Sequence, residues 1–570
     1  MINLIDSPRP LRFKRNSTLQ PCRRLFANVL VFFALTLARG FVNSITAEDA
    51  VTPKTTHLVS GNVVDAQSGA ALACRLHIQN RTTGEWLFPK STDPSGTAVE
   101  YRRQVGQTSS LEMHTTLSAH PFQISLPPGE YRIEAVRGKE FLPTVEEFDV
   151  TNEPVNLKIS LQRFINMPES GWFSGDVHAH RSMDEMSSVI VAEDLNVGFP
   201  MTYWVRDSQE IPSASGPGLE GKPVAVAPNH FLYPVNTEYE IFSINGKRHT
   251  QGAVLVLNHK RPLNIPAPPA LSVAEEARRQ GGLLDLEKHS WAWSMMIVPI
   301  MNVDLFELSN NHNWQTEFAF SQWTIENAPK WPEVERSATG FTELGWTEFA
   351  LQTYYSLLNC GFRMRVSAGT GSGVHPVPAG HSRVYVHTGN PFSYEKWIEH
   401  LNAGHSFVTT GPLMNVRFDG DLPGTTWTRT EQQNDISITG TITCFNRLKS
   451  IEVIRNGILM ERLNVEPTKT QHGVWEYAIS TTAPLQYSGW VALRCFEDLP
   501  GEKVSFAHTN PVFIDVAGHP QKPRRRDAEF FVQRMNEEIA RNTGVLPDES
   551  LSEYHKAKAI YEEILSRAED

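Results

Sequence analysis

Two histidines one residue apart, His178 and His180, close the run Trp172-Phe173-Ser174-Gly175-Asp176-Val177-His178-Ala179-His180. Side chains on a strand alternate between its faces, so both imidazoles point the same way and can reach one ion. Further histidines stand just after strand-like runs: His259 after residues 253–257, His289 after 283–288, His312 after 303–308 and His375 after 364–367. Imidazole donors suit zinc, manganese or iron better than calcium. One such ion with an open position lowers the pKa of a water toward ~7 and supplies a nucleophile for a carbonyl or phosphoryl centre. No Cys-x-x-Cys spacing occurs, which disfavours a thiolate zinc site.

These residues need a frame that brings strand ends together. From about residue 172 to 424, apolar strand-like runs alternate with helix-like stretches such as 183–196 and 273–280, a pattern of about seven βα units around a mostly parallel sheet. In a βα barrel the C-terminal strand ends share one rim, which would gather the histidines. Residues 57–161 alternate apolar and polar positions in short runs, the pattern of a small β-sandwich. Residues 427–516 return to β texture, with Asn456-Gly457 between two apolar runs as a hairpin signal. Residues 528–568 read as two amphipathic helices broken at Gly544. The expected fold class is multidomain α/β plus β. A central barrel at 170–425 lies between β-sandwiches at 55–163 and 427–516, with a helical tail at 526–568.

The 570 residues are 40% hydrophobic and 20% charged, a globular balance that excludes disordered, collagenous or coiled-coil chains. Residues 1–47 combine a basic lead with a short apolar run, the build of a secretory signal, and no later run of ~18 apolar residues follows. An exported protein, periplasmic or extracellular, with no membrane span after signal removal is expected. The net charge of -11 lacks the electrostatic footprint of a nucleic-acid partner. In an oxidising compartment Cys444 and Cys495, in similar strand-like contexts, could pair or remain two buried thiols.

The run 172–180 resembles the first motif of the polymerase and histidinol phosphatase (PHP) metal-dependent hydrolases, in particular their carbaryl-hydrolase-like CehA/McbA branch. Leu401-Asn402-Ala403-Gly404-His405-Ser406-Phe407-Val408-Thr409-Thr410-Gly411-Pro412 resembles that branch's closing segment. Residues 64–69 with 126–131 resemble the carboxypeptidase regulatory-like, transthyretin-like sandwich, an accessory module in that family. The PHP resemblance spans about residues 170–425 and implies a distorted (βα)7 barrel. It further implies hydrolysis of an ester, amide, carbamate or phosphoester in a small-molecule or cell-envelope substrate. The implied ligands of one or two ions are His178, His180, Glu240, His249, His289, His312 and His375, with Glu238 competing with Glu240 and His259 with His249. Asp176, Glu238 and Asp194 are the implied orienting or general-base carboxylates.

Two motifs depart from the family. Its Thr-Asp-His falls on Thr202-Tyr203-Trp204, which removes a carboxylate and an imidazole. Its Gly-Ser-Asp-x-His falls on Gly369-Thr370-Gly371-Ser372-Gly373-Val374-His375, where the aspartate is absent and the histidine displaced. A catalytically degenerate barrel that serves as a binding or scaffold protein is therefore the alternative expectation. A DNA-processing role like that of other PHP domains fails on charge and export.

Overall fold

In the N-terminal region, alternation becomes two packed sheets. One orders Val155–Leu161, His57–Asp65, Phe122–Leu126 and Lys90–Ser91; the other centres on Leu111–Leu117, Cys74–Asn80 and Gly129–Val136. Val59, Val63, Leu76, Ile78, Tyr131 and Ile133 turn inward as the shared core, as the period of two requires. The computed structural model describes residues 55–104, 111–214, 218–291, 293–310, 333–337, 340–430, 434–485, 487–501 and 503–569. The expected signal at 1–47 and His312 lie outside the described residues. Among the described residues no helix is long and apolar enough to cross a membrane.

The central region is where expectation and structure part. Its strands pair into two sheets and do not close into a barrel of seven βα units. One sheet orders Tyr203–Asp207, Thr237–Ile244, Lys247–Leu257, Leu283–Leu286, Leu305–Ser309 and Arg365–Ala368. In it, Thr237–Ile244 pairs antiparallel with Lys247–Leu257, and the latter antiparallel with Leu283–Leu286. The cause is local: Asn245 and Gly246 both take positive φ, 52° and 71°, and turn the chain straight back as a hairpin, so no helix intervenes. The second sheet carries Val197–Pro200, Trp172–Ala179 and Arg383–His387 and continues through Ser406–Thr409 and Phe506–Thr509 into the C-terminal region. Central and C-terminal regions thus share one twelve-stranded sheet, which a division near residue 426 conceals.

Several helices follow their local signals. Met183–Ala192 opens on Ser182, whose side chain accepts from Glu185 N while Glu185 reaches back in a capping box. Asn456-Gly457 turns Leu448–Arg455 into Ile458–Arg462. The tail forms helices Arg525–Asn542 and Asp548–Ser566, parted at Gly544 with φ of 75°. Both dock on the central core: Phe531, Tyr554 and Tyr561 are fully buried there. At roughly 1.5–3 kcal/mol for each large apolar side chain buried, these three anchor the tail firmly. Tyr561 donates to Met295 O at 2.8 Å, and Glu553 accepts from Ala270 N and Leu271 N at 2.8 Å each, capping the helix Leu271–Arg279. Cys74, Cys360, Cys444 and Cys495 are buried free thiols.

Candidate metal centre

The strand Trp172–Ala179 is buried along its whole length and ends on the two histidines. His178 is 1% exposed, and its Nε2 lies 3.0 Å from Nε2 of His180. His180 Nε2 is in turn 3.0 Å from Glu238 Oε2, on the neighbouring sheet. Metal–nitrogen bonds of about 2.0–2.1 Å in a tetrahedron set donor atoms ~3.3 Å apart, so three donors are already gathered at about the spacing an ion needs. On its other side, His178 Nδ1 lies 3.3 Å from Glu307 Oε2 and 3.8 Å from Glu287 Oε1. Ligand atoms of His178, His180 and Glu238, and those of His178, Glu287 and Glu307, each fall within 4.8 Å of one another.

The glycine-rich loop supports both histidines from beneath. A Cβ on Gly369 would meet His178 Cβ at 2.4 Å, and one on Gly373, at φ 109°, would meet His180 O at 2.1 Å. Only glycine permits that approach. Asp176 fastens the loop: its carboxylate accepts from His178 N, Thr370 N, Thr370 Oγ1 and Gly380 N at 2.6–3.2 Å. With its oxygens so engaged, Asp176 positions the loop and is not free to take a proton from water.

Buried carboxylates dominate the electrostatics. Burial drives Glu307 and Asp285 well above the usual carboxylate range, and in Asp285 the nearby Glu307 adds to the effect. Burial also opposes the ionised form of Glu238, but the charge and hydrogen bond of His180, with His178 and Lys288, overcome it and hold the group at about 2. Burial and the Glu238 charge raise Glu240 to about 8. His178 is depressed to about 3, chiefly by burial, and so is a neutral imidazole, the form that binds metal. Glu307 Oε1 is buried without a hydrogen-bond partner among the described atoms, and the Glu287 carboxylate is met by the Lys288 ammonium. Two imidazoles and one carboxylate within reach of one another, His178, His180 and Glu238, are a donor set that fits a divalent metal.

The remaining expected ligands are placed as follows. Glu240 stands two residues from Glu238 on the same strand face but outside both donor groups. His249 faces the tail, with Nε2 2.9 Å from Asn542 Oδ1 and 3.1 Å from the Arg541 guanidinium. His259 is satisfied by Thr237 Oγ1 and Arg261 O. His289 lies among Phe306, Trp346 and Phe349, with neither ring nitrogen hydrogen-bonded among the described atoms. His375 belongs to neither donor group; burial and the charges of Lys288, His178 and His180 depress it to about 3. Asp194 ties Arg137 and Arg163 at 2.6 Å each, joining the sandwich to the central region. Trp204, where the second motif departs, packs its ring 5.1 Å from His180.

Glu287 and Glu307 were missed by the histidine pattern. Their signal was a carboxylate in or beside a fully buried apolar strand, Leu283–Leu286 and Leu305–Ser309, where an acid is rare unless paired.

No family model matches the chain, and no curated protein matches it. Among solved structures, a streptococcal ancillary pilin aligns at 15% identity over 38% of this chain and 56% of that one, with a TM-score of 0.14. At that score the likeness carries no argument about the fold.

Proposed function

We propose that the protein is an exported, metal-dependent hydrolase of PHP-like type, acting on an ester, amide, carbamate or phosphoester. The carrying observation is the meeting of His178, His180 and Glu238 from two different sheets. His178, His180 and Glu238 would hold a divalent ion, which would supply a water with its pKa lowered toward ~7. Glu238, ionised and held against His180, binds and orients. Glu240 stands two residues along the same strand, outside the donor groups.

The test is metal content by mass spectrometry on untagged protein beside a His178→Ala/His180→Ala double variant. Stoichiometric zinc, manganese or iron that the variant loses supports the reading, and turnover of ester, amide and phosphoester panels then identifies the substrate class. A wild type that takes up no metal even after reconstitution overturns it. That outcome favours the second reading, a catalytically degenerate binding protein, for which the Trp204 ring against His180 is the specific observation.

A further inference from the structure

Lys288 is a buried cation between acids. Its ammonium pairs with Glu287, its side chain is 5% exposed, and its charge acts on Glu238, Glu240 and Glu307 as well. The two donor groups meet only through His178, which turns Nε2 toward His180 and Nδ1 toward Glu307 and Glu287. A neutral imidazole has one lone pair and one N–H. It can therefore ligate on one side only, and a ligating histidine ordinarily donates its other N–H to a carboxylate. With Nε2 facing His180 and Glu238, Nδ1–H is left to donate to Glu307.

From this we infer that the centre takes one divalent ion, held by His178, His180 and Glu238, while the Lys288 ammonium serves Glu287 and Glu307 as a built-in counter-cation where a second metal would otherwise sit. Geometry supports it: Glu287, a member of the second donor group, is already met by the Lys288 ammonium, whereas no ammonium is paired with Glu238 among the described residues. Glu287 and Glu307 then act as positioning residues: Glu307 fixes the tautomer and ring plane of His178, and Glu287 holds Lys288. The inference rests on the metal-dependent reading above and specifies its stoichiometry.

The experiment counts manganese per chain after equilibrium dialysis, for the wild type and for Lys288→Met, Lys288→Arg and Glu307→Gln, with unfolding temperature as the check on folding. One ion in the wild type and in Lys288→Arg, and two in Lys288→Met, are expected. Glu307→Gln keeps one ion with affinity lowered about 10–100-fold, the effect of losing a carboxylate behind a ligating histidine. Two ions in the wild type, or a single ion in a folded Lys288→Met, overturns the inference. So does a Glu307→Gln count that falls from two to one. No ion in any protein defeats the metal-dependent reading itself and is thereby distinguishable.

Discussion

Glu112 Oε1, on an inner strand of the N-terminal sandwich, lies 2.6 Å from the guanidinium of Arg181, the residue that follows His180. The same carboxylate is 2.8 Å from His114 Nε2, and Arg181 Nε donates to Ser372 Oγ in the glycine-rich loop at 2.9 Å. The sandwich thus reaches the centre through a buried ion pair, with Arg181 also stacked 3.9 Å over Tyr101.

Removing one partner of that pair strands a buried charge. Glu112→Ala should lose about 3–5 kcal/mol of stability in urea unfolding, because Arg181 keeps its charge without a counter-ion. The Glu112→Leu/Arg181→Met double variant should recover much of the loss, since apolar groups of similar volume replace a buried pair at little cost. Additive losses in the double-mutant cycle would show that the two residues do not act together.

Metal binding should be readable as stability. Added zinc or manganese at 100 times its Kd should stabilise the wild type by about 2.7 kcal/mol, and His178→Ala and Glu238→Gln should remove the shift. His249→Ala should keep it. Losing the hydrogen bond to Asn542 should cost only about 0.5–1.5 kcal/mol, because His249 is partly solvated and belongs to neither donor group. Thermal unfolding with and without metal and chelator separates these outcomes.

His508 gives a pH dependence independent of the centre. It is buried, accepts or donates at 2.7 Å with Tyr355 Oη and at 2.6 Å with Thr509 O, and is depressed to about 3 by burial, then by Arg494. Between the unfolded value of ~6.5 and about 3, the unfolded chain binds the proton and the folded one does not, so stability falls as pH falls, by roughly 1.4 kcal/mol per unit. His508→Gln lacks this slope. In chelator-treated protein the stability lead of the wild type over His508→Gln should therefore shrink steadily from pH 6.5 to 4.5; a constant difference would refute it.

The four described cysteines should be inert in the native state. Burial raises Cys74 to about 12 and drives Cys360, Cys444 and Cys495 higher still, so almost no thiolate forms at neutral pH. A thiol-specific chromogenic reagent should find these four only after denaturation. Fewer than four, with Cys444 and Cys495 missing after denaturation without reductant, would instead reveal a disulfide between them.

Local signals that act over a few residues were legible in the sequence. The His178-x-His180 pair shares a strand face because β side chains alternate, and Gly457 and Gly544 mark turns because they tolerate positive φ. The sequence also pointed to the end of the Trp172 strand, where His178 and His180 meet Glu238. Tertiary structure decided the rest. The antiparallel hairpin at Asn245-Gly246, in place of a βα unit, depends on which strands find each other. Glu238 instead of Glu240 meets His180, and Glu287, Lys288 and Glu307 surround His178, because strands as much as 129 residues apart in sequence bring them together. A strand's periodicity specifies which side chains share a face, while the partner that face meets is set by burial of the whole sheet, a property no local window contains.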